Sequence, residues 1–148
     1  MPDAISLQVA NAVVAELSSA TFSAAITPAV RLVPYNEMDD FDDVRVTVAP
    51  QILQEQAASR SDTMQTLLIT IGIEKKVGVP DPATADADAM ATVNVAEEIA
   101  RFIRHRKLSN YPKAKYIRHT IDPLLDPDSL ASHGIAQSII QISYLVSV

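Results

Sequence analysis

Residues 66–77 read TLLITIGIEKKV, the most strongly patterned stretch of the chain. Leu67, Ile69, Ile71 and Ile73 fall on alternate positions, with Thr66, Leu68, Thr70, Gly72 and Glu74 between them. Successive side chains of an extended chain point to opposite faces, so the four aliphatics share one face. That predicts a strand in a sheet with one side on the core. Gly72 predicts a bulge or a close backbone approach. Lys75 and Lys76 close the stretch and are expected near the sheet edge, where charge discourages stray strand pairing.

Upstream, residues 44–50 (VRVTVAP) alternate in the same way and predict a half-buried strand ending at Pro50. The polar residues 51–62 (QILQEQAASRSD) join the two runs. That is too long for a tight hairpin. The two strands are expected to reach beyond the sheet proper, with a mobile tip near residues 57–61, and loops of this kind often carry function. Ala57, Ala58, Ser59 and Arg60 are the candidate partner contacts at that tip. Farther upstream, Val9, Ala12, Val13 and Leu17 fall at helical spacing, predicting a helix over residues 5–18 with Asp3 as its cap. Pro28 and Pro34 bracket an extended piece, residues 29–33, which reads as an edge strand.

Downstream, a helix is predicted over residues 86–107. Val95, Ala96, Ile99, Phe102 and Ile103 form its core-facing stripe. Asp86 and Asp88 at its start and Arg104, Arg106 and Lys107 at its end suit the helix dipole. Residues 115–121 and 134–148 are the remaining strands, joined by a proline-rich loop with a helical turn capped by Asp128 or Ser129. The order is α-β-β-β-α-β-β, which implies a single α+β domain spanning residues 1–148. Two layers are expected: a mostly antiparallel sheet of four or five strands against two helices, with an extended β-hairpin.

Composition narrows the function. The 148 residues carry a formal net charge of -6 and no cysteine. Disulfides, thiolate metal sites and a cysteine nucleophile are therefore excluded. An acidic chain has no general affinity for nucleic-acid phosphates. No run approaches the ~20 apolar residues of a membrane span, and the amino-terminal residues lack the basic start of a signal peptide. A cytoplasmic protein is the expectation. Only Gly72, Gly78 and Gly134 occur, too few for a phosphate-cradling loop, and no nucleophile elbow is present. His105, His119 and His133 have no metal-ligand spacing, and the acids at 39–43 lack the calcium-loop pattern. The chain reads as a non-enzyme without cofactor or metal.

The charge layout is uneven. Residues 37–43 (EMDDFDD) hold five of the eighteen acids: Glu37, Asp39, Asp40, Asp42 and Asp43. Residues 101–119 hold seven of the twelve basic residues and no acid. One reading is two solvated faces. The sharper one is a pair of patches that meet across a subunit contact, with Arg101, Arg104, Arg106 and Lys107 facing those acids.

Taken together, the helix ANAVVAELSSATF, the segment DVRVTVAP, the strand LLITIGIEKKV, the helix end EEIARFIRHRKL and the terminal IIQISYLV resemble the neck and tail-completion proteins of tailed bacteriophages, tail terminators in particular. The resemblance implies a structural virion protein assembled in the host cytoplasm. It implies a homo-oligomeric ring, commonly a hexamer, that caps the tail tube and joins it to the head–neck connector or stopper protein. Genome DNA would pass the channel without specific binding. A closed ring repeats one contact between two different patches, which the acidic and basic segments supply. Some acids could instead line the channel and repel DNA; both uses remain open. The alternatives are a head–tail stopper or adaptor ring, or a small cytoplasmic ligand-binding domain.

Overall fold

The computed structural model describes residues 3–32, 44–57, 63–76, 82–122, 124–126 and 134–147. Two helices and five strands follow in the expected order: α1 (Ile5–Ser18), β1 (Ile26–Val30), β2 (Val44–Ala57), β3 (Thr63–Lys76), α2 (Pro82–Ile103), β4 (Ala114–Ile121) and β5 (Ile135–Ser147). The strands form one sheet in the order β1-β2-β3-β5-β4. β1 pairs with β2 in parallel, and the other three pairings are antiparallel. The fold is α+β with a mixed sheet.

The alternation in β3 sets the sheet's polarity. Leu67, Ile69, Ile71 and Ile73 are fully buried, level with Ile140, Ile142 and Tyr144 of β5 and with Val46 and Val48 of β2. Both helices lie on that face. Val9, Ala10, Val13 and Leu17 of α1 and Val95, Ala96, Ile99 and Ile103 of α2 complete one core. Each such aliphatic side chain contributes about 1.5–3 kcal/mol when taken from water. The apolar stripe of α2 thus forms as its spacing predicts, with Phe102 at the margin, edge-on to Phe22 at 5.7 Å.

Several local expectations are corrected. Asp3 does not cap α1: Ala4 holds the cap position, and the Asp3 backbone oxygen accepts a bond from Gln8 Nε2 at 2.6 Å. β1 begins three residues earlier than predicted, because Ile26, Pro28 and Val30 are level with the core valines of β2. α2 opens at Pro82, whose fixed φ suits a first helical turn. Asp86 and Asp88 are therefore inside the helix rather than at its start. Asp88 pairs with Lys75 at 3.3 Å. Arg104, Arg106 and Lys107 lie beyond the end of α2, which leaves Arg101 in the last turn. Lys75 and Lys76 lie at the end of an interior strand, flanked by β2 and β5, and not at a sheet edge. The turn expected at Asp128 or Ser129, and His133, fall outside the described residues.

Gly72 is a close approach and not a bulge. Its register with Thr47 and Ile139 is regular, and a Cβ there would stand 3.0 Å from Thr47 Oγ1. The bulge is elsewhere: β2 does not stop at Pro50 but shifts register between Pro50 and Ile52 and runs on to Ala57. Among the described residues no helix covers the second face of the sheet. Across it Arg45 and Glu74 form a 2.7 Å ion pair, and Gln137 Nε2 donates to Glu74 at 3.1 Å.

Candidate functional site

Three features leave the core and face outward: the far half of the hairpin, the edge strand β4, and the basic end of α2. The hairpin is longer than its alternating segments suggest. β1 covers only Val44 to Val48 of β2, and the Arg31 N–H extends the pairing by one bond to the Val48 carbonyl at 3.0 Å. Beyond that, residues 52–57 pair with β3 on one side, Gln51 is skipped at the bulge, and residues 51–57 are all exposed. Ile52 and Leu53, about half exposed, point to opposite faces, since Ile52 is level with Leu68 and Leu53 with Leu67. Ala57, one of the predicted tip contacts, is the last residue of β2 and is exposed. Ala58, Ser59 and Arg60 lie outside the described residues.

The opposite edge belongs to β4. Lys115 and Arg118 are exposed there, and a register shift between Tyr116 and Arg118 pushes Ile117 out of the ladder. Charged side chains and bulges are common protections of an edge strand. β1 carries a different one, Pro28, which has no N–H to offer. Residues 51–57 of β2 contain no Pro, Lys or Arg, and their bulge lies at the root.

The ladders also fix heights. Glu55 is level with Gln65, Val146 and Ala114 across the sheet, and Val48 with Ile71, Ile140 and Ile121. The exposed part of β2 and the first half of β4 thus occupy the same level on opposite sides of one sheet.

The basic end forms where α2 stops. His105 adopts a left-handed backbone, φ 58°, which turns the chain out of the helix. Its ring meets that of Tyr116 edge-on at 5.1 Å, and the Tyr116 hydroxyl hydrogen-bonds His119 Nδ1. His105, Arg106, Lys107, Lys115 and Tyr116 line a surface cavity of about 380 Å³. Of the predicted interface cations, Arg104 and Lys107 are exposed here, and Arg101 is exposed one turn earlier. Arg106 is committed within the chain. Its Nε donates to Glu16 at 2.7 Å, and its guanidinium lies 4.0 Å above the Phe102 ring. The predicted acidic counterparts, Glu37, Asp39, Asp40, Asp42 and Asp43, lie outside the described residues.

Glu16 is the buried charge that ties the helices' ends together. Its carboxylate also accepts the Ser109 N–H at 2.8 Å. That bond, followed by the Arg106 contact, holds its carboxyl below the ordinary value of 4.5 despite burial. Sequence reading missed this residue, although an acid on the apolar stripe of an amphipathic helix was a signal for it. It also missed Ile52 and Leu53, because the bulge breaks the alternation that would mark them.

No cluster of metal-ligating side chains occurs among the described residues, and no helix there is long and apolar enough to cross a membrane. No protein-family model and no curated protein matches the chain. Among solved structures, a cryo-EM structure of the PVC sheath/tube terminator of an extracellular contractile injection system, in its extended state, is similar at 18% identity and a TM-score of 0.44. The match covers 100% of this chain, which spans 58% of the length of that one.

Proposed function

We propose that the chain is a non-enzymatic structural protein that assembles into a ring, caps a tail tube and joins it to a head–neck connector in a phage-like particle. Two things support this reading: the sequence segments that resemble tail terminators, and a fold whose β2–β3 hairpin is exposed on its β2 arm beyond β1. The observation that carries it is the exposed half-strand at residues 51–57, which reaches past β1. A strand paired on one side, with no described strand on the other, suits docking to another protein's surface. The likeness to the injection-system terminator is too low to add to this support.

Negative-stain electron microscopy of purified protein mixed with tail tubes tests it. Rings seated on tube ends are expected. Rings found only on the connector would shift the reading to a stopper or adaptor. A protein that stays monomeric or dimeric and leaves tubes bare would refute it.

A further inference from the structure

We propose that the outer edge of β2 at residues 51–57, which is exposed and has no strand beside it among the described residues, accepts strand β4 of a second copy of this chain in antiparallel pairing, with little shift along the strands. The inference rests on the ring reading above and names the contact that would build it.

Geometry comes first. β2 runs antiparallel to β3, β3 to β5 and β5 to β4, so β2 and β4 run in opposite directions within one sheet. Their shared level means that a copy placed beside the first, without sliding along the strands, sets residues 114–118 of its β4 above the end of β1 and against the exposed part of β2. Gln54 then faces Lys115 of the partner subunit, because Gln54, Thr66, Leu145 and Lys115 share a row. Ile52 faces Arg118 of the partner subunit by the same reasoning. Four rows of exposed β2 are matched in this way, Ile52 to Glu55 against Ala114 to Arg118.

Charge selects the pairing. A β4–β4 contact would bring Lys115 and Arg118 against their own copies, and like charges opposite one another destabilise a strand pair. Residues 51–57 carry one charge, Glu55, so β2 receives a basic strand without repulsion. The contact is heterologous, using two different edges of each subunit, and such contacts close into rings when the rotation allows. Backbone donors and acceptors that no other strand among the described residues engages on these two edges provide the binding.

The chain has no cysteine, so introduced thiols can be read without background. Gln54→Cys protein mixed with Lys115→Cys protein and a short thiol cross-linker should give covalent heterodimers. Gln54→Lys should weaken association roughly fivefold per contact, and adding Lys115→Glu should restore it. A homodimer formed by Gln54→Cys protein alone at equal yield would overturn the proposal in favour of a β2–β2 contact. An oligomer that persists with no mixed cross-link would overturn it while leaving the ring intact. A monomer by light scattering at high concentration would remove the ring reading and this contact with it.

Discussion

Glu16 lies on the inner side of α1, where the neighbouring positions are valine, alanine and leucine, and only 6% of its side chain is exposed. A charge there is tolerated because Ser109 N–H and Arg106 Nε both reach it. Glu16→Gln keeps the shape and loses the charge, so a loss of about 1–3 kcal/mol is expected in chemical denaturation. The pH dependence has a definite direction. The folded carboxyl titrates below its unfolded value of 4.5, so its stabilisation is complete above that pH and fades as the pH falls through the folded value. The wild-type chain should therefore lose stability on acidification below about pH 4.5, and Glu16→Gln should show a flatter profile there. An equally steep profile would mean that other carboxylates dominate.

Tyr144 is the opposite case. Its ring is buried in the core, and its hydroxyl has no hydrogen-bond partner among the described residues. Burial, with the Tyr116 hydroxyl and Glu16 nearby, pushes its pKa well up. An unsatisfied buried hydroxyl costs about 1–3 kcal/mol, so Tyr144→Phe should be neutral or stabilising in thermal melts. At Gly72 the constraint is steric. Gly72→Val should destabilise by roughly 1–3 kcal/mol, and Thr47→Ala should relieve part of that by removing the atom 3.0 Å from the new Cβ. A double-mutant cycle with no coupling would show that the strain lies elsewhere.

Among the elements, the hairpin separates what pattern reading reaches from what it does not. Period-two alternation identified β3 and the first half of β2, since burial on one face imposes it. The second half, QILQEQA, read as a polar connection because its only two large apolar residues, Ile52 and Leu53, are consecutive and so point to opposite faces, and the register shift after Pro50 takes Ile52 off the face of Val44, Val46 and Val48. A strand exposed on both faces has no period to detect. Deleting residues 57–60 should leave the melting temperature within a few degrees of wild type, because the core lies below that level. Under the proposed function it should reduce tube capping in the microscopy assay; full capping by the deletion variant would count against a role for the tip. β1 was displaced by three residues for a related reason: two prolines looked like brackets, whereas pairing with β2 decided the register.

For the whole molecule, the uneven charge is a property of the chain, and its use depends on assembly. Arg106 and Glu16 show that part of the basic segment is spent inside the subunit, whereas Arg101, Arg104 and Lys107 remain at the surface. Under the proposed function, reversing Asp39, Asp40, Asp42 and Asp43 to lysine should prevent ring assembly while the monomer stays folded. Light scattering beside circular dichroism reads both, and an unchanged oligomer mass would refute the charge-pairing model.

Local pattern was enough for the element order, the core face of β3 and β5 and the apolar stripe of α2, because each depends on which residues repeat at 2.0 or 3.6 positions. Strand neighbours, the parallel β1–β2 pair, the interior place of Lys75 and Lys76, the Glu16 clip and the exposed level of β2 opposite β4 required the folded chain. These are contacts between segments distant in sequence, and no local period encodes which edge a strand will leave unpaired.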